Sequence, residues 1–141
     1  MAGRSDAAAG LQPGYQLPGL EKTVFQRALA ERDFSEDSIH NNDYTKAHGY
    51  PGALISAYVL SGYMSEPMVS FFGGSWFTSG ELSLRFIGKG VQQGDRVTCG
   101  ASVREVAAGP APRVVLDVWM EKADGARPVL GTASALLEGQ S

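Results

Sequence analysis

Residues 37–65 read DSIHNNDYTKAHGYPGALISAYVLSGYMS, an acid–histidine turn followed at once by an apolar run. From Ala53 to about Ser65 this run has no charged residue, and small residues separate its bulky apolar ones. A helix without a charged face has to be buried. Pro67 is predicted to end it. The stretch therefore predicts a domain built around one buried helix.

The second half of the chain has the pattern of β-strands. Alternating or short apolar runs cover residues 82–87, 97–103, 114–119 and 129–137. Asp124-Gly125 between the last two is a hairpin signal. Upstream, residues 23–33 are predicted to form a short amphipathic helix. Consecutive antiparallel strands preceded by one buried helix predict an α+β domain in which the sheet wraps around the helix.

Length and charge limit the class of protein. With 141 residues, 43% of them hydrophobic, the chain can bury one core. Residues 1–13 are predicted to be a flexible tail and residues 14–141 a single domain. A net charge of -3 gives no electrostatic reason to expect nucleic acid or a membrane surface as a partner. Without a signal-peptide-like start or a run long enough to span a bilayer, a cytoplasmic protein is expected.

Asp37 and His40 are the candidate catalytic pair. A carboxylate beside a histidine can hold a water and move its proton near neutral pH, because an unperturbed imidazole titrates at about 6.5. The N–H groups of a helix start can polarise a carbonyl oxygen. His48, before a glycine, is expected at a helix end instead. Together these groups suit chemistry on an acyl group.

No metal site is predicted. The spacing of His40, Asp43 and His48 fits no zinc signature. Cys99 is the single cysteine, so the chain has no internal disulfide framework and no cysteine-based zinc cluster of its own. It is predicted to be a buried structural thiol.

Four stretches resemble motifs of a known family, the MaoC-like hydratases and dehydratases of the hot-dog fold. They are FSEDSIH at 34–40, DYTKAHGYPG at 43–52, FFGGSWFTSGELSLRF at 71–86 and GDRVT at 94–98. The resemblance covers roughly residues 14–138. It implies a hot-dog fold, an antiparallel sheet wrapped around a central helix. It also implies a homodimer with paired sheets. Because a lone small sheet has open edges and an uncovered side, Val114, Leu116 or Val118 is predicted to be buried between the subunits.

The resemblance implies a reaction as well. Such an enzyme interconverts 2-enoyl and 3-hydroxyacyl groups carried as thioesters on coenzyme A or an acyl carrier protein, without a metal or redox cofactor. Asp37 and His40 would hold the water, and the backbone from Gly52 to Ala57 would bind the thioester oxygen. The substrate-binding residues implied or predicted are Gly52, Ala53, Ser56, Ala57, Phe72 and Trp76.

The sequence departs from the family pattern at two points, which leaves alternatives open. The Asn-Pro pair between acid and histidine is missing, and an ungapped register would put Ser35 in the place of the acid. Ser56-Ala57 stands where the family usually has His-Gly. Of all the features of the chain, the missing Asn-Pro pair most favours the alternative of a non-hydrating member, such as a cyclase or a ligand-binding subunit. A thioesterase would carry a carboxylate on the central helix, which has no acid before Glu66.

Overall fold

The computed structural model describes residues 11–26, 42–49 and 53–137 of the chain. Most of the predicted tail at residues 1–13 falls outside this part. The helices and strands of the described residues follow one another in the order β1 (Leu20–Thr23), α1 (Asn42–Ala47), α2 (Ala57–Phe72), α3 (Ser75–Ser79), β2 (Glu81–Phe86), β3 (Arg96–Ala107), β4 (Arg113–Lys122) and β5 (Val129–Leu136).

The strands form one antiparallel sheet in the order β1-β3-β4-β5-β2. The predicted hairpin at Asp124-Gly125 joins β4 to β5. Gly125 has a φ of 90°, which favours glycine, and its N–H donates to Lys122 O at 2.9 Å. A register shift between Val103 and Glu105 marks a bulge in β3. The four strands predicted in the second half of the chain are confirmed.

Helix α2 packs on one face of this sheet and forms the core with it. Its buried residues are Leu60, Met64, Pro67, Met68 and Phe72. All of them except Pro67 belong to one apolar cluster with alternate residues of β4 and β5. Burying a side chain of this size stabilises the fold by about 1.5–3 kcal/mol. The predicted fold class, a sheet around a buried helix, is confirmed.

The same packing corrects one prediction about the dimer. Val114, Leu116 and Val118 are 0%, 0% and 2% exposed within the single chain. They lie on the face of β4 that meets the α2 core. A partner subunit therefore does not bury them, and the prediction that it would do so is wrong.

The predicted helix at 23–33 is also wrong where the structure describes it. Leu20–Thr23 forms the edge strand β1, in which Leu20 is paired with Cys99 and Thr23 with Arg96. Val24, 0% exposed, continues beside the sheet, since its N–H donates to Asp95 O at 2.8 Å. Val24 is buried by contact with the sheet, and helical spacing does not reveal this. Residues 27–33 lie outside the described part.

Helix α2 starts and ends later than predicted. Residues 53–56 are not helical, because Leu54 forms a bridge with Gln92 and the Ile55 N–H donates to Val91 O at 2.8 Å. Pro67 does not end the helix, which continues to Phe72. A proline in a helix costs about 3 kcal/mol or more. Pro67, Met68 and Phe72 are buried here. Burial of each large apolar side chain contributes about 1.5–3 kcal/mol, which offsets the cost of the proline.

In the described part of the chain, every helix is too short or too polar to cross a lipid bilayer.

Candidate functional site

The start of α2 is held by the side chain of Gln26. This residue follows β1 and is 4% exposed. Its Oε1 accepts a hydrogen bond from the Ser56 backbone N–H at 2.7 Å, and its Nε2 donates to Ser56 Oγ at 2.8 Å. Ser56 is the N-cap residue of α2, yet its side chain makes no capping bond to the helix. The Gln26 amide therefore accepts a hydrogen bond from the Ser56 N–H and donates one to the Ser56 hydroxyl oxygen.

A second glutamine, in the loop between β2 and β3, fixes the backbone of Gln26. Gln93 Oε1 accepts from the Gln26 N–H at 2.8 Å, and Gln93 Nε2 donates to Gln26 O at 3.2 Å. Next to it, the Phe25 N–H donates to Tyr63 Oη at 3.1 Å. A buried amide costs free energy unless it is hydrogen-bonded, and this one is bonded on the backbone and on the side chain. The network joins the end of β1, the β2–β3 loop and α2.

The first turn of α2 presents backbone donors to its surroundings. The N–H groups of Val59 and Leu60 both donate to Ser56 O, at 3.0 and 3.2 Å. Within the described residues, the N–H groups of Ala57 and Tyr58 have no acceptor, as expected for the first residues of a helix. Ala57 is exposed. At the predicted site, the Ala57 N–H can therefore donate to a ligand, whereas the Ser56 N–H already donates to Gln26 Oε1.

Gln26 is bonded to the start of α2, and Ala53 lies three residues before the N-cap residue Ser56. Asp37, His40 and Gly52 fall between Gln26 and Ala53 in the sequence, outside the described residues. In the described part between them, α1 ends where the His48 N–H donates to Thr45 O at 3.1 Å and Gly49 adopts a φ of 86°. His48 thus follows a helix end, as predicted.

The β2–β3 loop packs beside this returning segment. Lys89 Nζ donates to Gly49 O at 2.6 Å. A Cβ built on Gly90 would lie 2.9 Å from Leu54 Cδ2, so this loop approaches the residues before α2 closely. The predicted residue Ala53 is 7% exposed at this point.

Phe72 and Trp76 are far from the helix start. A helical rise of 1.5 Å per residue over the 16 residues of α2 separates its two ends by about 24 Å. Phe72 is 0% exposed and its ring stacks on Trp76 at a centroid distance of 5.9 Å. The structure therefore does not bring these two aromatic residues together with Ser56. Phe72 belongs to the apolar core cluster.

Two other polar groups near α2, Glu66 and Cys99, have structural roles. Glu66 forms an ion pair with Lys22 of β1 at 2.8 Å. Cys99 is buried, and burial raises its pKa to about 11, with a smaller contribution from Glu66. A thiol with this pKa is protonated at neutral pH, which fits the predicted structural role. The described residues contain no cluster of three or more His, Cys, Asp or Glu side chains that could bind a metal ion.

Sequence reasoning missed Gln26 and Gln93. Gln26 fell in the predicted amphipathic helix at an apparently polar position. Glutamine is mostly exposed in proteins, so nothing in its neighbourhood along the chain indicated a buried amide. Its partner Ser56 lies 30 residues away, and no local pattern links two such positions.

Comparison with solved structures finds close similarity in fold. The (R)-hydratase from A. caviae involved in PHA biosynthesis is 20% identical, with a TM-score of 0.68 over 92% of this chain and 98% of that one. The ChsH1-ChsH2 complex from Mycobacterium tuberculosis contains a chain that is 22% identical, with a TM-score of 0.67 over 90% and 98%. A MaoC-like dehydratase from Rhodospirillum rubrum is 13% identical, with a TM-score of 0.70 over 94% and 97%.

The similarity lies in the structure and not in the sequence. No protein-family model and no curated protein sequence matches the chain. The five-stranded antiparallel sheet with α2 on one face is the arrangement that the solved structures share. The chain therefore has the hot-dog fold, in the form found in MaoC-like dehydratases and (R)-hydratases.

Proposed function

We propose that the protein is a cytoplasmic hydratase or dehydratase of acyl thioesters, which interconverts 2-enoyl and 3-hydroxyacyl groups on coenzyme A or an acyl carrier protein. The observation that supports this proposal is the hydrogen-bonded start of α2. Gln26, the last described residue before the segment that bears Asp37 and His40, is hydrogen-bonded to Ser56. The described structure resumes at α1, and residues 53–56 lead directly into α2. The residue that precedes the candidate catalytic segment is therefore bonded to the helix start, which supports a site there.

The chemistry divides between this segment and the helix. In hydration, the hydroxyl of a water adds to C3 of the enoyl group and a proton adds to C2. Asp37 and His40 hold the water, so that one takes its proton while the other delivers or relays a proton to C2. Negative charge develops on the thioester oxygen during this step. Ala57 N–H, which has no acceptor among the described residues, is a donor for that oxygen.

Fewer backbone N–H groups are available to the thioester oxygen than the sequence suggested. Of the backbone N–H groups from Gly52 to Ala57, those of Ile55 and Ser56 are already hydrogen-bonded, to Val91 O and to Gln26 Oε1. Similarity of the fold to (R)-hydratases supports the same location for the acyl group.

A homodimer is part of the proposal. Strand β2 is an edge of the sheet, with Phe86 and Ile87 at its end 45% and 44% exposed. An open edge with exposed apolar residues is what a second strand would cover. Light scattering is expected to give a dimer at micromolar concentration. Phe86→Asp should produce monomers, whereas Tyr15→Asp, at a position that is 48% exposed, should not. A wild-type monomer would contradict this part of the proposal.

One assay tests the activity against its alternatives. The protein is incubated with a short 2-enoyl-CoA, and the loss of the conjugated absorbance and the release of free thiol are followed together. The proposal predicts the first signal without the second. Thiol release would indicate a thioesterase. Binding of the thioester without either signal would indicate a non-hydrating member of the fold.

A further inference from the structure

We propose that Gln26 is a positioning residue of the thioester site, which turns the Ser56 hydroxyl into a hydrogen-bond donor for the bound acyl thioester. This inference rests on the proposed function. It assigns a role to a buried glutamine that is not part of the catalytic pair, and it explains why Ser56 makes no capping bond to its own helix.

The orientation of the Gln26 amide follows from its partners. A backbone N–H can only donate, so the amide atom 2.7 Å from the Ser56 nitrogen has to be the oxygen Oε1. The other end of the amide is then the NH₂ group, which lies 2.8 Å from Ser56 Oγ. An amide NH₂ has no acceptor capacity, so Ser56 Oγ accepts this bond.

The direction of that bond determines what the hydroxyl can still do. A serine hydroxyl that accepts a hydrogen bond retains its own proton for donation. In the described part of the chain, Ser56 Oγ donates to no acceptor. Ser56 directly precedes Ala57, whose N–H is the proposed donor to the thioester oxygen. The hydroxyl proton and the N–H are thus neighbouring donors at one end of α2.

The position of Gln26 is fixed well enough for this role. Gln93 bonds its N–H at 2.8 Å and its carbonyl at 3.2 Å, so the backbone of Gln26 is held independently of its side chain. Gln26 and Ser56 are 4% and 8% exposed. Water therefore competes little for these hydrogen bonds, and a buried amide with these partners has one preferred orientation.

A double-mutant cycle separates positioning from simple structural support. Gln26→Glu keeps the oxygen that accepts from Ser56 N–H but replaces the NH₂ donor with a second acceptor, so the Ser56 hydroxyl turns toward it. Ser56→Ala removes the hydroxyl. Each single variant is expected to lower kcat for a short 2-enoyl-CoA by about tenfold, the value of one hydrogen bond, and to change KM less. The double variant should lose no more than either single variant.

Controls are available in the same loop and at the same position. Gln92→Glu makes the same charge change, but Gln92 contacts Lys89 O and Lys122 and not Ser56, so kcat should stay the same. Ser56→Thr keeps a hydroxyl and should restore kcat relative to Ser56→Ala. If Gln26→Glu does not fold, Gln26→Asn replaces it in the cycle, because its shorter side chain cannot reach both Ser56 N–H and Ser56 Oγ as Gln26 does.

The outcomes distinguish this inference from the proposed function. Additive losses of kcat, or losses that follow the decrease in melting temperature, would overturn the positioning role while leaving the hydratase intact. A wild-type protein without hydration would overturn the proposed function. If the enoyl-CoA is neither hydrated nor hydrolysed, it is a stable ligand, and the same cycle is measured on its Kd by calorimetry; if thiol is released, the cycle is measured on kcat for hydrolysis. Coupling of the two residues in the constant that is measured would support the positioning role, and its absence would overturn it.

Discussion

Trp119 lies directly against Gly100 on the face of the sheet that points away from α2. The two residues are paired across β3 and β4. A Cβ built on Gly100 would lie 2.5 Å from both Nε1 and Cε2 of the indole. The guanidinium of Arg127 sits over the same ring, 4.5 Å from its centroid. The indole therefore occupies the space that any side chain at position 100 would need.

Gly100→Ala is expected to destabilise the fold by about 1–3 kcal/mol, because the added methyl group has to displace a packed indole. Gly62→Ala is the matched control in α2, where no heavy atom lies within 4 Å of the new Cβ. It should stabilise the protein by about 0.5–1 kcal/mol through helix propensity. Urea unfolding of both variants measures the effects. If Gly100→Ala were as stable as the wild type, the indole of Trp119 would have to move away at no cost.

Cys99 is expected to make the free energy of unfolding decrease with pH in the alkaline range. Burial raises its pKa from 9.0 to about 11, so between these values the unfolded state releases the proton and the folded state keeps it. By linkage, the contribution of the thiol to stability is complete below pH 9 and is lost as the pH rises toward 11. The loss is on the order of 2–3 kcal/mol for two pH units at 1.36 kcal/mol each.

The comparison with Cys99→Ala isolates this effect, because the variant lacks the thiol and keeps the rest of the chain. The difference in unfolding free energy between wild type and variant should shrink from pH 8 to pH 11. A difference that stays constant would mean that the thiol titrates alike in both states.

Substitution of Glu66 tests whether the protein acts as a hydratase or as a thioesterase. It is the first acid of α2, and it forms an ion pair with Lys22 at 2.8 Å, with both side chains partly exposed. Glu66→Gln should leave hydration within about twofold and cost less than about 1 kcal/mol of stability, as partly exposed pairs do. Lys22→Met should behave in the same way. A large loss of activity in Glu66→Gln alone would give the carboxylate a catalytic role.

Asp37 and Ser35 test the register of the shortened motif. If Asp37 holds the water, Asp37→Asn lowers turnover by about 10²–10⁴, the usual effect of losing a general acid or base. Ser35→Ala should then have little effect. Circular dichroism checks that both variants fold. The reverse result would favour the ungapped register, with Ser35 in the position of the acid.

The fold was predicted well from the sequence where the residues of a single segment indicate whether that segment is buried. The charge-free run after Ala53 indicated a buried helix, and the alternation from Leu82 onward indicated strands. The prediction that Pro67 ends the helix was wrong, because local helix rules do not include the burial that stabilises the turns around it. Strand β1 was missed since Thr23 and Val24 owe their structure to β3 and to the β2–β3 loop, more than 70 residues away.

The candidate site was harder to predict for the same reason. Ser56 was predicted from its place at the helix start, and the structure puts it there. Its partner Gln26 is connected to it only by the fold, so nothing in the sequence joined them. Phe72 was assigned to the site from the glycines and aromatic residues beside it, although helix length alone separates it from Ser56. Spacing along a helix indicates which face a residue is on, and length indicates which end.

The most direct test of the account compares the two histidines of the chain. Hydration of a short 2-enoyl-CoA is followed by its absorbance with wild type, His40→Ala and His48→Ala. We expect kcat/KM to fall by about 10²–10⁴ in His40→Ala and to stay near the wild-type value in His48→Ala, because His48 is exposed and follows the end of α1. A folded His40→Ala variant that hydrates the thioester at the wild-type rate would contradict it.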